Sequence, residues 1–270
     1  MQLNLDKIPV SLGESSLFRE LAEHYAYAPS AIIIRTAEIE ILRTMDIASP
    51  ALDLCCGDGY FASLLGSGIF DAGCDFSENA MIEAVKRGMY NKVCNADITK
   101  GIDFEPQSFN TIVSNSALEH VADIDAALKN VRDLLKPGGH LIFTLASDCA
   151  YKWWPCGQNE MKKYLSYQPV FNYFSLEEWK VRLKNAGLNY RSHQYYLSRS
   201  ASRLLFYLDY HYSNVYLTSD KTMARPIIRT LRRVPRRVLS WFWRNLFSSI
   251  KILADDEGGG ILVIARREDR

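Results

Sequence analysis

The chain has 270 residues, with 32 Lys+Arg against 31 Asp+Glu, a formal net charge of +1 and a hydrophobic fraction of 48%. That length allows one large domain or one domain with an insertion, and the apolar content can bury a real core, which excludes disorder, collagen and coiled coil. Near-neutrality also argues against a nucleic-acid footprint spread over the whole surface.

The opening stretch, 1–17, has no basic segment leading into a long apolar one, so no secretory signal is expected. No run approaches the ~18 apolar residues of a spanning helix. The cysteines at 55, 56, 74, 94, 149 and 156 form no C-x-x-C pair and read as small core residues in a reduced, cytoplasmic protein. Residues 23–29, with Tyr25 and Tyr27, precede a helix over Ile32–Arg43. From residue 50 short apolar runs alternate with helical patterns. Strands are expected at Ala51–Cys55, Phe70–Phe76, Lys92–Ala96, Phe109–Ser114 and His140–Ala146, with helices at Tyr60–Leu65, Ser77–Arg87 and Asp125–Leu135, the last stopping at Pro137–Gly139. Ser175 and Glu178 have capping-box spacing and open a helix that ends at Gly187. Leu188–Leu197 and Gly260–Ala265 complete seven strands. Strands separated by helices predict an α/β, Rossmann-like domain with a parallel sheet covered on both faces.

The first strand runs into Asp53, Cys55, Gly57, Asp58 and Gly59. The two glycines permit a tight turn and close approach of backbone to a ligand at the carboxyl edge of the sheet. Gly57-x-Gly59-x-x-Ala62 also fits a dinucleotide fingerprint, with Asp75 at the right distance for a ribose. A pyrophosphate would be disfavoured beside Asp53 and Asp58, however, whereas S-adenosylmethionine brings a sulfonium and an ammonium that aspartates suit.

Residues 52–59 resemble motif I of the class I S-adenosylmethionine-dependent methyltransferases, most like the type 11 methyltransferase domain. Further landmarks follow in order: Asp75 with Phe76, Asp97 with Ile98, the strand at 108–113, Leu118–Val121 and Leu134–Gly139. The resemblance covers about 50–147 and implies a strand order of 3-2-1-4-5-7-6 with strand 7 antiparallel. It also implies cofactor binding by Asp53, Cys55, Gly57, Gly59, Asp75 (ribose), Phe76, Asp97 (adenine), Ile98 and Asn115, the last through its backbone. Cys55 departs from the pattern, because a glycine is usual there; a side chain is tolerable if the backbone does not need a positive φ. The quinone-biosynthesis O-methyltransferases resemble the 116–120 stretch too, but Ser116 stands where their additional metal-binding glutamate lies, so no metal is expected. The tetrad of amino-methylating nucleic-acid enzymes is replaced by Ser114–Ala117, which disfavours that class.

Methyl transfer needs alignment and exclusion of water, and a base only when the acceptor must lose a proton. His120 is the candidate base, its alternative role being to cap the next helix. Within one domain we expect lid helices over 1–49, a cofactor core over 50–147, an aromatic substrate loop over 148–174 and a basic helical insertion over 198–258. Tyr25, Tyr27, Trp153 and Trp154 are the candidate substrate contacts.

Lys221–Lys251 holds nine Lys/Arg and no acid, with apolar residues at Ile227, Leu231, Val234, Val238, Trp241, Phe242, Leu246 and Ile250. Arg229, Arg232, Arg233, Arg236 and Arg237 fall between them, and Pro235 divides the stretch into two helices. One reading is peripheral contact with the inner face of a membrane through 225–253, the other a lid packed on the domain. The function expected is methylation, on oxygen first, of a small-molecule or glycan- or lipid-linked metabolite, with no nucleic-acid partner. The alternatives are a membrane-associated scaffold with a degenerate cofactor fold and a nucleotide-dependent oxidoreductase.

Overall fold

The computed structural model describes residues 3–213 and 231–269. The expected strands form one sheet in the order 3-2-1-4-5-7-6. They are β1 (Ala51–Leu54), β2 (Ala72–Asp75), β3 (Lys92–Asn95), β4 (Phe109–Asn115), β5 (Leu135–Ala146), β6 (Leu188–Tyr196) and β7 (Gly260–Arg267). β7 runs antiparallel to both β5 and β6, and the remaining pairs are parallel.

Alternation along the strands divides the interior into two cores. Val113, Ile142, Leu262 and Ile264 face one side, beneath α1 (Phe18–His24), α2 (Pro29–Leu42) and α3 (Tyr60–Leu65). Their neighbours Ile112, Leu141, Phe143 and Val263 face the other. There they meet Leu128 and Val131 of α5 (Ile124–Leu134), with Trp179 and Leu183 of α8 (Leu176–Asn185). Ser77 caps α4 (Glu78–Arg87), and the Ser175/Glu178 capping box opens α8 as expected. Each such cap satisfies amide groups that a helix start leaves without partners.

Two boundaries differ from expectation. Helix α5 ends at Leu134, and β5 begins at once with Leu135 paired to Phe109. Pro137–Gly139 lies within β5, in a register shift between Phe109 and Thr111, because a bulge absorbs the turn residues without ending the strand. In the insertion, α9 (Arg199–Leu208) and α10 (Arg236–Phe247) lie on either side of 214–230, and Pro235 caps α10 where the helix break was expected. Lys221, Ile227 and Arg229 lie outside the described residues. Between β5 and α8 the chain adds α6 (Asp148–Lys152) and α7 (Gln158–Tyr167).

Candidate functional site

The loop after β1 is built on positive φ angles: +60° at Cys55, +55° at Gly57 and +73° at Gly59. The condition under which a side chain at 55 is harmless is therefore not met. A left-handed L-residue costs roughly 1–2 kcal/mol, whereas glycine loosens the unfolded chain at a cost of about 0.4–1 kcal/mol. Strain is the larger, so Cys55→Gly is expected to stabilise the fold by up to about 1 kcal/mol, read as a raised urea midpoint. An unchanged or lowered midpoint would show that packing of the thiol outweighs the strain. Burial also raises the Cys55 thiol far above the range in which it would ionise, so this cysteine is not a nucleophile.

Gly57 has open space where a side chain would stand, whereas Gly59 has the Tyr90 ring 3.3 Å from that position. The Tyr90 hydroxyl donates to Asp53 Oδ2 at 2.7 Å, holding the buried carboxyl under the loop. Burial raises the Asp53 pKa to about 7, against the Tyr90 hydrogen bond that lowers it. Asp75, at the end of β2, accepts from the Gly57 amide at 3.0 Å and the Ser77 amide at 2.9 Å, tying the loop to α4.

Over this loop lies a cleft of about 200 Å³ whose walls include Asp53, Gly57, Asp58, Tyr60, Asn115 and Arg35. Adjoining it is a second cavity of about 320 Å³, walled by Arg35, Glu119, His120, Tyr151, Tyr164 and Asp209 among others. Tyr25, Arg35 and Ser116 line both. The N-terminal segment closes the junction: His24 stacks on Tyr60 with ring centroids 3.9 Å apart, and Tyr25 meets the same ring edge-on at 6.1 Å.

A buried carboxylate organises the junction. Glu38 of α2 has no solvent-exposed side chain, and Arg35 donates to its Oε2 at 2.7 Å. Asn115 Nδ2 donates to Oε2 at 3.0 Å, Tyr196 to Oε1 at 3.2 Å, and the Ser116 hydroxyl donates to Oε1 as well. Glu38 thus joins α2 to the end of β4, where Ser116 holds a φ of +47°. Sequence reading missed Arg35 and Glu38. Their signal is a charge pair, three residues apart, inside the apolar run Ala31–Leu42.

Several expected site residues lie elsewhere. Trp154 is buried behind the second cavity against Tyr164 and Phe206, and Trp153 carries Arg199 over its ring; neither lines the cavity. Tyr27 donates to the Val234 carbonyl at 3.2 Å and belongs to the seam with the insertion. These aromatics follow the packing rule for large apolar rings, which are buried unless something else holds them out. Phe76 is 77% exposed beside the loop, and Ile98 is buried in the sheet core. Asp97 accepts from the Thr99 amide and hydroxyl at 3.0 and 2.7 Å, bonds that hold its carboxyl below the usual carboxylate range. His120 and Tyr25 do line the larger cavity.

Residues 21–193 match the family of methyltransferase domains. The chain belongs to that family. Demethylmenaquinone methyltransferase of Staphylococcus saprophyticus is 31% identical over 117 residues, 40% of this chain and 50% of that protein. The chain therefore spans about half the length of that curated relative. An S-adenosylmethionine-dependent methyltransferase of Thermotoga maritima shares the fold with a TM-score of 0.56, at 17% identity over 92% of both chains. Phosphoethanolamine N-methyltransferase 2 of Haemonchus contortus, in complex with S-adenosyl-L-methionine, shares it with a TM-score of 0.53, at 17% identity over 94% of this chain and 61% of that one.

Membership identifies the cofactor as S-adenosylmethionine and sets aside the oxidoreductase alternative. The cleft of this methyltransferase fits that cofactor on its own chemistry. Gly57 leaves the loop open to a ligand, Asp53 and Asp58 favour a cationic one, and Arg35 offers a partner to a carboxylate.

Proposed function

We propose that the protein transfers a methyl group from S-adenosylmethionine to a hydroxyl of a small molecule held in the 320 Å³ cavity, with His120 taking the hydroxyl proton. Asp53, Gly57, Asp58, Asp75 and Arg35 hold the cofactor in this reading, with Asn115 beside them. When bound, the cofactor supplies an electrophilic methyl carbon.

The observation that carries the reading is the His120 hydrogen bond. Its Nδ1 lies 2.8 Å from the Pro169 carbonyl oxygen, which can only accept. A neutral imidazole that donates from Nδ1 carries its lone pair on Nε2, ready to receive a proton. His120 lines the larger cavity, so an acceptor hydroxyl seated there meets this base. The Glu119 side chain next to it is buried, and burial raises its carboxyl above the usual carboxylate range, against the neighbouring His120, which lowers it. The loop carrying Pro169 is pinned in place: the Phe171 and Asn172 amides both donate to the Glu119 carbonyl, at 2.8 and 3.1 Å.

Replacing His120 with alanine is expected to lower kcat by 10²- to 10⁴-fold, roughly the contribution of a positioned base. Cofactor affinity by calorimetry should be unchanged. The assay follows S-adenosylhomocysteine release against a panel of phenols and other hydroxyl compounds. Full turnover by the variant at neutral pH would remove the base.

The name of the curated relative favours a second reading, methylation of a ring carbon. The same proton removal from a ring hydroxyl makes the neighbouring carbon nucleophilic, and Tyr25, Tyr151, Tyr164 and Phe206 give the cavity a lining suited to a ring. NMR of the product separates the two, as an O-methyl or a C-methyl signal.

A further inference from the structure

Helix α10 presents apolar residues on two sides. Leu239, Trp243 and Phe247, four residues apart, are buried, and Trp243 Nε1 donates to the Ala26 carbonyl at 2.9 Å. Val238, Trp241, Phe242 and Leu246 point away from that face and are exposed, Trp241 by 64%. A contiguous apolar stripe left in water marks an interaction surface.

Charge decides what the surface fits. Between 231 and 251 there are six Lys/Arg and no Asp or Glu. Arg237 and Arg244 border Trp241 around a shallow surface hollow. The acid in that hollow, Glu23, is paired with Arg19 at 3.3 Å. A nucleic acid would call for arginines at the centre of the surface, where this helix is apolar. An apolar stripe with a tryptophan, edged by arginines, matches the headgroup boundary of an anionic bilayer: rings enter the acyl margin while guanidinium groups meet phosphates. No helix among the described residues is long and apolar enough to cross a membrane.

We infer that α10 docks the protein on the surface of an anionic lipid bilayer. The helix is joined to the wall of the larger cavity. Trp243 bonds Ala26, Tyr27 bonds Val234, and Arg236 lies 5.4 Å over the Tyr27 ring, while Tyr25 and Ala28 of the same turn line the cavity. The inference is independent of which atom is methylated.

The test uses the full chain with vesicles of phosphatidylcholine alone and of phosphatidylcholine containing phosphatidylglycerol. Flotation and tryptophan emission are the readouts. Binding to the anionic vesicles is expected, weakening as salt rises. The double substitution Trp241→Ser/Phe242→Ser should weaken it by at least about tenfold, from lost apolar burial. Arg237→Gln/Arg244→Gln should weaken it by roughly fivefold for each charge. Both variants keep their buried face, and an unchanged melting temperature together with retained S-adenosylmethionine binding verifies that they fold. No flotation with anionic vesicles, equal flotation with neutral ones, or undiminished binding by the Trp241→Ser/Phe242→Ser variant would each overturn the inference.

Discussion

Replacing Glu38 with alanine is expected to destabilise the protein by about 3 kcal/mol and to weaken S-adenosylmethionine binding. Removing one partner of a buried ion pair typically costs about 3–5 kcal/mol, because the other charge is left uncompensated. Here the lower end applies, since the Arg35 side chain is 30% exposed and water takes over part of its solvation. The neutral donors suffer too: Asn115, Ser116 and Tyr196 all direct hydrogen bonds at this carboxylate. Because Asn115, Ser116 and Arg35 line the cleft over the glycine loop, disorder at this junction reaches that cleft directly. Glu38→Gln keeps an acceptor for these donors but loses the charge opposite Arg35, so it should fall between wild type and Glu38→Ala. Urea unfolding and calorimetric titration give the two readouts. A loss below about 1 kcal/mol for Glu38→Ala, no more than an ordinary hydrogen bond contributes, would show that the junction is held by packing alone.

The second large effect is a pH dependence set by Asp53. Its pKa is raised to about 7 in the folded protein, chiefly by burial. An unfolded aspartate titrates near 3.9. Between about pH 4 and 7 the folded state therefore holds a proton that the unfolded state has lost, and stability from this group falls as pH rises through that window. The full difference corresponds to at most about 4 kcal/mol at 1.36 kcal/mol per unit. Asp53→Asn should flatten this part of the stability profile and leave the protein more stable at pH 8. Cofactor binding should run the opposite way. A cationic ligand favours the ionised carboxylate, so affinity for S-adenosylmethionine should rise as pH passes through about 7, with proton release on binding below it. Titration in buffers of different ionisation enthalpy detects that release. A pH-independent affinity that matches Asp53→Asn would sink the assignment.

The glycine loop was largely legible in the residues. Gly57 and Gly59 sit between a buried strand and a helix, and each performs a local task that neighbours in sequence reveal. The same holds for Asp75, one residue beyond Cys74 in β2, whose bonds to the Gly57 and Ser77 amides follow from strand pairing. The larger cavity was not legible in this way. Tyr151, Tyr164, Phe206 and Asp209 converge on one cavity from α6, α7, α9 and the turn after α9. No spacing rule links them. Trp153 and Trp154 look like a substrate platform in one dimension, yet Trp154 is packed behind Tyr164 and Phe206 in the interior.

The strand order was what the family resemblance implied; the amino-acid sequence by itself determined where the strands lie, the glycine loop and the preference for a cationic ligand over a dinucleotide. Those depend on periodicity, turn chemistry and the sign of nearby charge, all of which act over a few residues. Only the tertiary structure decided that Cys55 takes a left-handed conformation. It alone revealed Glu38 as the link between α2 and β4, and the Pro169 carbonyl oxygen 2.8 Å from His120 Nδ1. The last two are contacts between residues distant in the chain, and burial in a shared interior fixes the geometry of such contacts.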